Sequence, residues 1–185
     1  MRPPDGTGGE RLGYGMSTVV ISRRQRFDWK AALFFIGFTL LLGALGGLLG
    51  GASGFKSFEA LQKPPLTPPA AVFPIVWSAL YLLMGIAAYL VWSSGDLDRG
   101  ASLRMYFLQL LVNILWPLFF FRLQWRLFAF FWLLLLLALL SLTMAGFRYI
   151  RKSSYWLLVP YFLWVLFAGY LNLGIYLLNL SLIHI

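Results

Sequence analysis

Five long runs of apolar residues constrain this chain more than any other feature of its sequence. Each is long enough to cross about 30 Å of hydrocarbon at about 1.5 Å per helical residue. The runs cover residues 31–50, 73–92, 103–121, 125–147 and 155–178. Because a bilayer offers the backbone no water, only helices and closed barrels span it, and these leucine-rich runs lack the alternation of a barrel strand. The sequence therefore predicts an all-α membrane protein, a bundle of five transmembrane helices.

The composition of the chain agrees with this class and limits the kinds of binding partner that we expect. Hydrophobic residues make up 61% of the chain and charged residues 11%, far from the averages of soluble proteins. The basic residues behind the net charge of +9 lie between the runs or at their ends, as Arg104 and Arg126 do. In that position they report topology and contact with anionic lipid head groups. We therefore expect a lipid bilayer as partner and no nucleic acid.

The same residues predict the limits of the domain and its orientation. Residues 1–30 are a polar, basic tail that we expect to be disordered, residues 31–180 form the membrane domain, and residues 181–185 are a C-terminal tail. With five spans, the side of the N-terminus carries all of the 15 Lys and Arg residues except Lys56, Lys63, Arg122 and Arg126. For a bacterial cell membrane, the location we expect, the positive-inside rule then places the N-terminus in the cytoplasm.

Small residues and prolines mark the first run and the loop after it. Two rows of glycine repeat at four-residue spacing, which lets a neighbouring backbone approach closely. These rows are Gly43, Gly47, Gly51 and Gly46, Gly50, Gly54. They indicate either a homodimer seam or packing inside one chain, and we favour packing. In the loop, four prolines surround Leu66 and Thr67 and predict a stiff, extended segment. Its residues Pro65, Leu66, Pro68 and Pro69 form either a lid over a pocket or a rigid connector.

Aromatic rings and uncharged amides lie on the inward faces of three other runs. Trp77 and Tyr81 are one helical turn apart, and Gln109 and Asn113 share a face of the next run, ahead of Trp116. In the last run, every fourth position adds to one stripe: Trp164, Ala168, Asn172, Tyr176 and, close by, Asn179. Amides at membrane depth face the bundle, where they join helices or hold a ligand.

Chemistry that is missing from the runs is equally informative. Their interiors contain no Asp, Glu, Lys, Arg or His, which argues against a proton-coupled pump. The single histidine, His184, is expected to be a solvated tail residue, and no metal site is predicted. The remaining surface of neutral rings and amides suits a flat, largely apolar ligand, because rings stack without requiring charge neutralisation.

Several motifs together resemble the tryptophan-rich sensory protein and translocator protein family. They are Pro65-Leu66-Thr67-Pro68-Pro69, Phe73-Pro74-Ile75-Val76-Trp77 with Leu80-Tyr81, Asn113 with Trp116-Pro117, and Pro160-Tyr161 with Trp164, Ala168 and Leu171-Asn172. The resemblance covers about residues 31–180. It implies a five-helix, commonly dimeric membrane protein that binds porphyrins such as protoporphyrin IX, with sensory, receptor or transport roles and no required cofactor.

The resemblance also assigns residues. Trp77 and Trp164 match the two pocket tryptophans of the family and are expected to flank the flat ligand; Tyr81, Asn113, Trp116 and Ala168 match other pocket positions. We add Asn172 from the stripe. In bacterial members the two tryptophans are associated with light- and oxygen-dependent porphyrin breakdown, so Trp77 and Trp164 are also candidate catalytic residues. A photo-oxidative activity and a purely structural scaffold are the alternatives to a binding protein.

The chain departs from the family pattern at four positions. The family usually has tryptophan where Leu66 stands, often an aromatic residue near Ala71, in many members an acidic residue near Ala129, and a tryptophan near Tyr176. No basic residue follows Tyr176 as in the sterol-recognition segment of animal members. We therefore expect a weaker lid and do not expect sterol binding.

Overall fold

The computed structural model describes residues 27–180, so His184 and most of both predicted tails lie outside the described residues. Its helices are α1 (Trp29–Gly50), α2 (Ala52–Glu59), α3 (Val72–Trp92), α4 (Arg99–Pro117), α5 (Arg126–Ile150) and α6 (Lys152–Leu178), with a π-helical turn at Leu118–Arg122. All except α2 and the turn are long and apolar enough to cross a membrane, the turn extending α4 to Arg122. The predicted five-helix class is therefore confirmed.

Two local features differ from the sequence prediction. The predicted loop of residues 51–72 contains α2, whose eight residues are too few and too polar to stand out from a connector. The third span ends in a π-helical turn. Pro117 has no backbone N–H to donate to the α-helical hydrogen-bond pattern, and the helix continues after it with the wider π-helical geometry. Both features lie at the same end of the bundle, where they meet through a close contact of Gly54 with the carbonyl of Phe121.

The five spans form a closed ring in the order α1, α3, α6, α5, α4. Some of the glycines sit where two backbones approach. A Cβ on Gly85 of α3 would lie 2.7 Å from the Cα of Ile36, and one on Gly46 would lie 3.3 Å from the backbone of Ile114. Gly43 lies against the ring of Tyr81, whereas Gly47 and Gly51 of the same predicted row have nothing within 4 Å of an added Cβ. The two glycine rows therefore pack inside one chain in part, and the homodimer stays a prediction.

Gly85→Ala should lower the free energy of unfolding by about 1–3 kcal/mol. The new methyl group meets backbone atoms of α1, which cannot rotate away, so the two helices must separate. Thermal unfolding in detergent measures the loss. Gly169→Ala is the matched control, because a Cβ there has nothing within 4 Å and the change removes only glycine's conformational freedom. Equal melting temperatures for the two variants would contradict this account of the α1–α3 contact.

Candidate functional site

A cavity of about 540 Å³ lies between α1, α3 and α4, at the end of the bundle that α2 covers. Four of the predicted site residues line it: Trp77, Tyr81, Asn113 and Trp116. Three neighbours come from α2, which the sequence did not predict as a helix: Phe55, Phe58 and Glu59. The volume falls within the range of about 300–1,000 Å³ that is usual for small-molecule sites. We call this space the main cavity.

The main cavity has the shape of a slot. One wall is the glycine face of α1, where Gly43 and Gly47 expose bare backbone. The opposite wall is aromatic, because the rings of Trp77 and Tyr81 stack with centroids 5.7 Å apart and planes inclined by 29°. The slot closes where Gly43 touches Tyr81. It widens one turn further on, where a Cβ on Gly47 would find nothing within 4 Å.

A chain of buried hydrogen bonds runs from the floor of the slot into the bundle. The Tyr81 hydroxyl donates to Asn113 Oδ1 at 2.9 Å, and Asn113 Nδ2 donates to the Tyr161 hydroxyl. The Tyr161 hydroxyl in turn donates to Gln109 Oε1 at 3.0 Å. All four side chains are at least nine-tenths buried. The chain connects α3, α4 and α6, so it fixes the orientation of Tyr81 and Asn113 before any ligand arrives.

Three residues of the predicted stripe on α6 line a second, smaller cavity of about 20 Å³. Trp164, Ala168 and Asn172 border it, and Trp77 and Trp116 separate it from the main cavity by lining both. The rings of Trp77 and Trp164 are in edge contact, with centroids 6.5 Å apart and planes at 88°. The two tryptophans therefore touch each other and do not face each other across a gap.

Asn172 organises the wall between the two cavities. Its Oδ1 accepts a hydrogen bond of 3.2 Å from Trp116 Nε1, and its Nδ2 donates to the carbonyl of Arg126 at 2.7 Å. The indole of Trp116 stacks on Phe120 in the π-helical turn, with centroids 5.1 Å apart. This amide therefore acts on the main cavity through the orientation of Trp116.

The proline segment lies along α6. Asn179 Oδ1 accepts a hydrogen bond of 3.1 Å from the backbone N–H of Gln62, and Asn179 Nδ2 donates one of 2.9 Å to the backbone carbonyl of Gln62. The Tyr170 hydroxyl donates to the Pro65 carbonyl at 3.0 Å, and Pro64 packs against Gly174. The predicted lid residues Pro65, Leu66, Pro68 and Pro69 border neither cavity; α2 and Ala70 cover the main one. We call this set of contacts between residues 62–65 and α6 the loop latch.

Sequence reasoning missed part of this site. Tyr161 belongs to a run crowded with aromatic residues, and nothing in its spacing singles it out. Asn179 was noted for its position on the stripe, but its loop partner depends on a tertiary contact across 117 residues. The amides gave the strongest signal, because Gln109 and Asn113 are uncharged polar groups at membrane depth and both belong to the buried chain.

The fold and the two cavities define a class: a five-helix membrane protein with an aromatic slot at one end of the bundle. The sequence model of the TspO/MBR family matches residues 35–178. The chain belongs to the TspO/MBR family.

Named relatives from three kinds of organism agree with this assignment. The translocator protein of Bos taurus is 36% identical over 144 residues, which cover 74% of this chain and 85% of the relative. The tryptophan-rich protein TspO of Archaeoglobus fulgidus is 36% identical over 140 residues, or 76% and 91% of the two chains. Protein CrtK of Rhodobacter capsulatus is 38% identical over 128 residues, or 66% and 78%.

Proposed function

We propose that this membrane protein binds a flat, largely apolar ligand of the tetrapyrrole class in the main cavity and serves in sensing or transporting it. The observation that carries the proposal is the slot itself. A bare glycine face opposite a stacked Trp77–Tyr81 pair accepts a planar ring system on both of its faces. The bovine relative is named translocator protein, a name that indicates transport, and we extend a role of that kind to this chain.

Polar groups at the floor of the slot support a ligand with only a few polar atoms. Tyr81 and Asn113 are buried polar side chains in the lining of the main cavity, and Ser78 is an exposed one. Sites for small molecules combine such a small number of fixed polar groups with apolar walls, because the walls supply affinity and the polar groups supply orientation. The tetrapyrrole class itself comes from the motif resemblance, with Trp77 and Trp116 as ring partners and Trp164 as the residue that supports Trp77 from behind.

Gly47→Leu is the variant that tests this function. The Cβ of a leucine at position 47 would have no protein atom within 4 Å, and its side chain would occupy space at the lining of the slot, so it should weaken binding of protoporphyrin IX about tenfold or more. Tryptophan fluorescence quenching in lipid nanodiscs measures the affinity. The melting temperature without ligand should change little, because nothing in the chain lies within 4 Å of that Cβ.

Gly37→Leu is the matched control, since Gly37 is also an open position on α1 but does not line the cavity. Its affinity for protoporphyrin IX should equal that of the wild type. If Gly47→Leu binds as tightly as Gly37→Leu, the ligand does not occupy the slot. If wild-type protein binds no porphyrin, the proposal fails altogether. The homodimer, the cytoplasmic N-terminus, and the photo-oxidative and scaffold alternatives stay predictions.

A further inference from the structure

The main cavity has one charged side chain in its lining, and that side chain is acidic. Among the described residues that border either cavity, Glu59 is the one acidic residue, and none is Lys, Arg or His. It is the last residue of α2 and is exposed at the mouth of the slot. A carboxylate at a helix C-terminus is unfavourable, because it faces the negative end of the helix dipole. The charge of Glu59 at this position therefore does not stabilise α2 through the dipole.

One cation, Lys63, lies close to Glu59 but does not line the main cavity. Its ammonium group donates to the backbone carbonyls of Glu59 at 2.8 Å and Leu61 at 3.4 Å. The same group lies 5.2 Å from the ring centroid of Phe58. Neither Lys63 nor Lys56 lines the main cavity. The Glu59 side chain therefore borders the slot, whereas the Lys63 ammonium contacts the backbone at the end of α2.

Two polar groups in the lining have already committed their protons to protein partners. The Tyr81 hydroxyl donates to Asn113, which leaves its lone pairs free. The N–H of Trp116 donates to Asn172. Neither of these two groups therefore has a free proton for a ligand carboxylate.

We propose that Glu59 determines specificity in this site: it makes the slot favour flat ligands whose polar edge is neutral or positively charged over ligands with carboxylates on that edge. This inference rests on the proposed function, because it concerns the ligand of the same cavity. Repulsion between two carboxylates at the mouth weakens as solvent exposure and ionic strength rise, and Glu59 is exposed.

Protoporphyrin IX and its dimethyl ester test the inference, since they share one ring system and differ in two carboxylates. Glu59→Gln should tighten binding of the diacid about three- to tenfold and change binding of the diester by less than about twofold. Comparing each variant with wild type for each ligand cancels the different partitioning of the two porphyrins into lipid. The gain for the diacid should shrink as salt rises.

Asp98→Asn is the matched control, because Asp98 is an exposed carboxylate that does not line the cavity. Its affinities for both porphyrins should equal those of the wild type. If Glu59→Gln changes both affinities equally, or neither, the inference is overturned while the proposed function stands. If wild-type protein binds neither porphyrin, the proposed function is overturned and the inference falls with it.

Discussion

Replacing Asn113 by leucine should lower the free energy of unfolding by about 2–3 kcal/mol, although the two side chains have similar volumes. Leucine removes the acceptor of the Tyr81 hydroxyl and a donor to the Tyr161 hydroxyl, and both groups are buried. A buried polar group that loses its partner costs about 1–3 kcal/mol in proteins generally, and interhelical hydrogen bonds in membranes are worth up to about 1.7 kcal/mol each. Reversible unfolding in mixed detergent micelles measures the loss.

A double-mutant cycle with Tyr81→Phe separates the hydrogen bond from packing. In the Asn113→Leu background, the Tyr81 hydroxyl has already lost its acceptor. Tyr81→Phe should therefore lower the free energy of unfolding less in that background than it does in wild type. We expect a coupling free energy of about 1 kcal/mol. Strictly additive effects of the two substitutions would show that the hydroxyl and the amide act independently, contrary to the geometry of the buried chain.

Asn179→Ala should release the loop latch. The side-chain amide of Asn179 is hydrogen-bonded to both the backbone N–H and the backbone C=O of Gln62. Alanine removes both hydrogen bonds and leaves the two backbone groups without this protein partner. Two lost hydrogen bonds correspond to about 2 kcal/mol of local opening free energy, or about 30-fold faster hydrogen exchange of the Gln62 amide. Hydrogen–deuterium exchange with mass spectrometry of peptides covering residues 60–67 measures this rate.

Tyr170→Phe is the graded control for the latch. It removes one hydrogen bond, from an exposed hydroxyl to the Pro65 carbonyl, so its effect on the same peptides should be several-fold smaller. Peptides from α5 should exchange at the wild-type rate in both variants. Uniformly faster exchange across the bundle would indicate global destabilisation in place of a released loop.

The spans were predictable because their signal is physical and long. A run of about 20 residues without a central charge has few alternatives to a membrane helix, whatever surrounds it. The eight residues of α2 carry no such signal, and their helix depends on contacts such as Gly54 against Phe121 that join distant parts of the chain. The conformation of Leu66 in the loop could not be predicted either. Its φ of +67° lies in the left-handed region, which leucine rarely adopts.

The candidate site was predictable as a set of residues but not as a geometry. Trp77, Tyr81, Asn113 and Trp116 lie together around the main cavity, and the sequence assigned these four positions through the resemblance of its motifs to the family. Spacing along one helix cannot give the rotation of a partner helix, and so it could not tell that Trp164 touches the edge of Trp77. Whether these residues bind a ligand is what the Gly47 and Glu59 variants test.

The backbone contacts of α1 bear on how the protein is made. Gly46 docks against Ile114, and Gly50 docks beside Phe121, both of which are synthesised roughly 70 residues later. At about 5–20 residues per second, α1 therefore waits roughly 3–14 seconds for its contacts with α4. Its contact with α3, through Gly85 against Ile36, joins residues closer in the chain and can form sooner. The apolar composition of α1 suits its exposure to lipid in the meantime. The slot takes shape only when α4 arrives, so the main cavity is incomplete until more than half of the protein has been translated.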